Sequence, residues 1–169
     1  MMAIMRYPDG HKEAVRARIV KVAAAAFRKA GTAGVGIPAV MKKAGLTHGG
    51  FYAHFKDRDA LLAAAVEAAA QETASRVFAP GVAAAEAVRG YLSPEHVARP
   101  ADGCVIAALG AEGPRQGAPV RRAFSKVARG FFDLVGAKVD AWHVPGDPSD
   151  KVLASAATLV GAVVLARLV

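Results

Sequence analysis

The chain contains one cysteine, Cys104, in 169 residues, so an intramolecular disulfide is excluded. Aromatic residues are scarce at 7%, and Trp142 is the single tryptophan. Catalytic signatures are missing. There is no GxxxxGK followed by Ser or Thr, no HExxH, no GxSxG, and no Cys/His cluster with metal-ligand spacing. The glycine-rich run Gly31 to Gly36 follows a helical pattern rather than a strand, which argues against a nucleotide loop. No enzyme activity, cofactor or metal is expected. The N-terminus lacks the apolar core of a signal peptide, so the expectation is a cytoplasmic protein. Long apolar runs are missing too. Val152 to Ala166 is only 15 residues, and at ~1.5 Å per residue it reaches roughly 22 Å, short of a ~30 Å bilayer core. A buried or subunit-interface helix is the reading for that run. A membrane-surface or tail-anchored helical protein is the competing class, and liposome flotation separates the two.

Acid is the other shortage, and it is local. The chain has 22 Lys and Arg against 14 Asp and Glu, for a net charge of +8. Residues 1–60 hold 11 of the basic groups and 4 of the acids, and the other 109 residues are nearly balanced. A basic excess confined to one end is the electrostatic footprint of phosphate contact, although a solvated basic face has the same composition.

What remains is apolar, at 54%, rich in alanine, and with few windows that alternate as strands do. The pattern predicts an all-α protein. Val15, Ile19, Val22 and Ala26 share one face of a first helix over about 12–30, with Arg16, Arg18, Lys21, Arg28 and Lys29 largely elsewhere. Gly31 ends it. Pro38 fits the first turn of a second helix, about 37–44. Gly45 makes a turn, Thr47 caps a short helix over about 48–54, and Asp57 caps a long one to about Phe78. Further helices are expected at about 82–91, 103–112 and 119–142, with a loop around Glu95 and His96. Val120, Phe124, Val127, Phe131 and Leu134 form the stripe of the last of these. Ser149 or Asp150 caps a final helix that is apolar on nearly every side. The chain stops at Val169 without a polar tail, and a continuation or a dimer interface is expected there.

Two short helices joined by a tight glycine turn make the helix-turn-helix layout, whose second helix enters the DNA major groove. The segment Lys43-Ala44-Gly45-Leu46-Thr47-His48-Gly49-Gly50-Phe51-Tyr52-Ala53-His54-Phe55 has this form. Thr47 would cap the second helix. His48, Gly49 and Gly50 occupy its first turn, the part that meets base edges, and the glycines let backbone approach closely. Readout would then rest on His48, Tyr52 and DNA shape. Phe51 and Phe55 are read as core.

With Ile19-Val20, Phe27, Gly31, Val40 to Lys56 and Asp59-Ala60-Leu61 in place, the chain resembles the TetR family of bacterial transcription regulators over about residues 12–65. Tyr91-Leu92-Ser93-Pro94, Gly103 to Leu109 and Leu159 to Ala162 look like one branch of it, with a Gly-Cys motif in the body. The resemblance implies a DNA-binding domain, residues 1–56, on a ligand-binding and dimerisation domain, residues 57–169. It implies a homodimer on a near-palindromic operator in double-stranded DNA, and repression relieved by a small hydrophobic or aromatic inducer. It also implies phosphate contacts at Tyr52, His54, Lys56 and above all Arg58. The hydroxyl residue that often caps the second helix in this family is replaced by Gly36, which leaves only a backbone N–H there. The family's C-terminal dimer helix usually continues past the point where this chain ends.

Candidates for lining the inducer pocket are Phe78, Tyr91, His96, Cys104, Phe124, Phe131 and Trp142. Core packing is the competing role for each aromatic residue. Cys104 would open a helix after Gly103, where a helix N-terminus lowers a thiol pKa. In related branches of the family a cysteine after glycine near this place can sense electrophiles or oxidants, so the resemblance implies an alternative function, a repressor that senses them through Cys104. A buried cysteine acting as a small hydrophobe is its competitor.

Overall fold

The computed structural model describes residues 10–139 and 148–169, and no strand occurs among them. The first helix, α1, spans His11–Ala30. It buries Val15, Ile19, Val20, Ala23, Ala24 and Phe27, a wider stripe than the spacing predicts, while Val22 and Ala26 are half-buried. Arg28 is buried as well, on the side assigned to solvent. Gly31 ends the helix at φ 78°, a left-handed conformation that favours glycine, and its amide donates to the Phe27 carbonyl at 2.9 Å.

Helix α2, Ile37–Lys43, follows with Gly36 at its N-cap and Pro38 in its first turn. The next element is not an α-helix. Residues His48–Ala53 form a 3-10 helix, and Thr47 stands at its N-cap without a side-chain cap bond. Six residues that include two glycines cannot sustain α-helical hydrogen bonding, and the tighter turn is the form short pieces take. Helix α3, Arg58–Val77, begins where the Asp57 carboxylate accepts from the Ala60 amide at 2.8 Å.

The body continues with α4, Ala84–Tyr91, and with α5, Pro94–Ala98, where a loop is expected from sequence. The reason is local. Ser93 accepts from the His96 amide, and Pro94 occupies the first helical turn, which together make a helix start. A 3-10 turn, Pro100–Asp102, leads to α6, Val105–Leu109. Gly110–Arg115 then tightens into a 3-10 helix rather than extending α6 to Glu112. Helix α7 spans Ala118–Lys138, and its expected extension to Trp142 lies outside the described residues. Helix α8, Asp150–Ala166, is capped by the Ser149 hydroxyl, which accepts from the Val152 amide at 3.4 Å.

Two apolar clusters hold these helices together. The first joins α1, α2 and the His48–Ala53 turn to α3, α6 and α7 through Ile19, Phe27, Met41, Phe51, Leu61 and Leu62. It crosses the 56/57 division drawn from sequence. The second joins α3, α4, α6, α7 and α8 through Phe78, Tyr91, Phe131, Val152 and Leu159. Each such side chain, fully buried, contributes about 1.5–3 kcal/mol relative to exposure. Helices α3, α6 and α7 belong to both clusters, and α3 is the one that continues in sequence from the head (α1, α2 and the 3-10 turn) into the body. No helix among the described residues is long and apolar enough to cross a membrane.

Candidate nucleic-acid interface and body cavity

The His48–Ala53 turn presents two faces. Phe51 points inward, 1% exposed, and stacks on buried Phe55 with ring centroids 5.7 Å apart. Tyr52 points outward, 68% exposed, its ring edge-on to Phe51 at 5.2 Å. A tyrosine ring held open to solvent by a buried phenylalanine has a fixed direction at little entropic cost. Thr47, His48 and Gly49 are exposed beside it, and Gly50 is half-buried against Met41. Among the described residues a Cβ at Gly49 would meet nothing within 4 Å, so there is open space there.

Cations surround this turn. Arg16 of α1 lies over the Phe55 ring at 4.7 Å. The half-buried His54 ring has its pKa lowered, first by burial and then by Lys12, Arg16 and His11. Its Nδ1 is buried without a hydrogen-bond partner among the described residues. Near pH 7 His54 is therefore neutral, and an anion placed among these cations favours its protonation. Lys56 is exposed, with Asp57 at 3.6 Å as a loose, solvated ion pair. Gly36 is exposed at the start of α2.

Arg58 departs from its expected place. Its guanidinium donates to the Thr32 carbonyl and, at 3.4 Å, to the Val35 carbonyl, and it lies over the Phe27 ring at 5.4 Å. Because Asp57 fixes the start of α3, the Arg58 side chain folds back onto the loop between α1 and α2. There it closes the head.

The body holds a cavity of about 760 Å³ between α3, α6 and α7. Of the lining candidates, Phe78, Cys104 and Phe131 border it. Tyr91 does not. It is completely buried, and burial together with the adjacent Cys104 thiol pushes its pKa up. His96 is also buried, and its Nδ1 pairs with the Tyr91 carbonyl while its Nε2 accepts from the Cys104 amide at 2.8 Å. Burial lowers its pKa, so the ring is neutral with the proton on Nδ1. Phe124 packs instead on Gly113, where a Cβ would come within 3.0 Å of the ring. Trp142 lies outside the described residues. The sequence reading missed Thr73, Gln71, Ile106, Gly130 and the Glu67–Lys126 ion pair, all of which line the cavity. Small residues at Ala70, Ala74 and Gly130 create the space, a signal that looks like ordinary alanine-rich helix until α3 and α7 are packed together.

Residues 19–65 match the family described as bacterial regulatory proteins, tetR family. No curated protein matches the chain. Among solved structures, a TetR transcriptional regulator from Chloroflexus aurantiacus is 29% identical, with a TM-score of 0.72 over 93% of this chain and 86% of that one. The reduced form of Escherichia coli NemR is 21% identical, with a TM-score of 0.69 over 92% of this chain and 88% of that one. Bacillus subtilis FadR, solved in complex with stearoyl-CoA, is 15% identical, with a TM-score of 0.54 over 90% of this chain and 85% of that one. At those identities the last two speak for the fold alone. The segment that carries the helix-turn-helix thus matches the tetR family of bacterial regulatory proteins, and the likeness to a TetR transcriptional regulator runs on through the body.

Proposed function

We propose that this protein is a homodimeric repressor of transcription that an uncharged, largely apolar small molecule releases from a near-palindromic operator. The observation that carries this reading is the position of α3. Its start follows directly on the DNA-facing turn, and its second half walls the 760 Å³ cavity. One helix thus connects ligand volume to head position, as a population shift between DNA-competent and incompetent states requires. Residues 1–56 act as the DNA-binding domain and 57–169 as the ligand and dimerisation domain.

On DNA, Tyr52 and His48 reach the groove, and Thr47, Lys56, His54 and the Gly36 amide serve the phosphates. The ligand is uncharged because the cavity's lysine and glutamate, Lys126 and Glu67, pair with each other at 2.6 Å. The remaining lining is apolar apart from Gln71, Thr73, Ser75 and Cys104. Phe78 and Phe131 supply the aromatic wall.

Dimerisation uses α8. Val152, Ala156, Leu159 and Val163 bury one face, while Leu153, Val164, Leu165 and Leu168 stay exposed near the C-terminal end of the chain. A second copy that covers this surface removes the exposed apolar area.

A thiol sensor through Cys104 is the second reading. Cys104 is 3% exposed but borders the cavity, so an oxidant would have to enter there. The test is a gel-shift of the purified protein against its own upstream region with salt varied, followed by genome-wide site selection. A discrete complex that survives competitor DNA, with a two-fold symmetric site, is the expected result. Only diffuse, salt-sensitive binding in both experiments sinks the proposal.

A further inference from the structure

Arg28 is a buried cation, 4% exposed, at the end of α1. Burying a guanidinium is costly unless its donors are paired, and here they are used in three directions. Nε donates to the Ala24 carbonyl of its own helix at 3.1 Å. One terminal nitrogen donates to the Glu72 carboxylate of α3 at 2.8 Å. The other donates to the Gly103 carbonyl, 75 residues away, at 2.7 Å.

That carbonyl is half of the peptide joining Gly103 to Cys104. It also lies 3.4 Å from the Thr73 hydroxyl. The other half, the Cys104 amide, donates to His96 Nε2 at 2.8 Å. Thr73 and Cys104 both line the cavity. Around Gly103 there is no slack, since a Cβ would come within 2.6 Å of the His96 ring and 3.0 Å of the Arg167 guanidinium. A second tie runs parallel to this one. The Thr32 amide and hydroxyl donate to Glu112, and Gln116 donates to Thr32 at 3.1 Å.

We propose that the Gly103–Cys104 peptide, gripped by Arg28, is the connection through which the cavity sets the position of α1 and so of the DNA head. The proposal rests on the cavity being the ligand site. A ligand that presses on Thr73 and Cys104 shifts a peptide that cannot yield toward His96. Arg28 then either follows, tilting α1 against α3, or loses its acceptor. Both outcomes end the single head position that two matched half-sites demand. Arg28 is a positioning residue here and touches neither DNA nor ligand.

Gly130 supplies the test without a known ligand. It lines the cavity from α7, and a Cβ built there meets nothing within 4 Å among the described residues. Gly130→Phe and Gly130→Leu therefore place a side chain where ligand would sit, and Leu serves if the phenyl ring prevents folding. The readout is amide hydrogen exchange of the full chain, followed over residues 26–40. Gly130→Phe is expected to speed exchange there by about tenfold, within the range of allosteric couplings. In an Arg28→Gln background, where the grip is already lost, the same substitution is expected to add less than about twofold. Unchanged exchange in both folded Gly130 variants overturns the proposal. So does an equal increase in both backgrounds. Operator binding, measured beside it, reports on the regulator reading separately. A wild-type protein without any operator refutes that reading, whereas a bound operator with no exchange coupling refutes only the Arg28 connection.

Discussion

Replacing Arg58 by alanine separates a structural arginine from a phosphate contact. The side chain holds two carbonyls of the α1–α2 loop and covers the Phe27 ring. A hydrogen bond from a charged donor contributes about 1.5–3 kcal/mol, and the long contact to Val35 falls at or below that range. A cation over an aromatic face adds about 0.5–1 kcal/mol where it stays partly solvated. Arg58 is half-buried, so the net loss expected is about 2 kcal/mol. For a protein of this size each kcal/mol moves the melting temperature by roughly 2–4 °C, which puts Arg58→Ala roughly 4–8 °C below the parent. Lys56→Ala is the control. Lys56 is exposed and only loosely paired, so its loss is expected to leave the melting temperature within about 2 °C, since surface changes stay near ±0.5 kcal/mol. On DNA the order reverses. Lys56→Ala is expected to weaken binding across sequences and to lower the salt slope by about one. Thermal melts by circular dichroism and gel-shifts over a salt series decide between the roles. An Arg58→Ala protein that melts like the parent and loses one unit of salt slope would refute the assignment. The guanidinium would then leave the loop for phosphate.

Other outcomes follow from the same geometry. Tyr52→Ala is expected to keep the parent melting temperature, because the ring is mostly exposed, while operator affinity falls by about tenfold or more, the scale of one lost groove contact. Leu165→Asp is expected to turn the dimer into a monomer by light scattering without loss of helicity, and a dimer of unchanged stability would remove α8 from the interface. His96 and His54 both have pKa values below their ordinary 6.5. Their contribution to stability is therefore fully present above pH 6.5 and is lost as pH falls through that value toward the lower folded pKa. Denaturant titrations between pH 7.5 and pH 5, chosen to span the ordinary histidine pKa of about 6.5, are expected to show that decline, and a rise in stability over the range contradicts it. If Cys104→Ser retains the parent's response of operator binding to oxidants, thiol sensing is excluded.

Much of the fold was legible from local rules. Helix α1 ends at the glycine the pattern chose, Asp57 caps α3 as expected, and Phe51 and Phe55 are core. Their signals are short-range, and tertiary packing agrees with them. Elsewhere the local reading missed. The Ser93-Pro94 pair suggests a loop because proline punctuates chains, yet after a capping serine it starts a helix. The recognition segment is a short helix as expected, but a 3-10 one, the tighter form that short pieces with two glycines take. A charge on a helix usually faces water, which is why the sequence places Arg28 on the solvent side, and nothing in the sequence identifies the carbonyls that Arg28 and Arg58 reach.

The sequence by itself determined an all-helical chain, a basic end carrying a helix-turn-helix, and an apolar C-terminal helix. These depend on periodicity, capping and composition, which act over a few residues. Tertiary structure decided which arginines hold the head together, which of the aromatic candidates border a cavity, and that one peptide between Gly103 and Cys104 meets both head and cavity. Those facts depend on contacts between residues 23 to 75 positions apart, such as Arg58 with Val35 and Arg28 with Gly103. Chain packing alone brings such groups together.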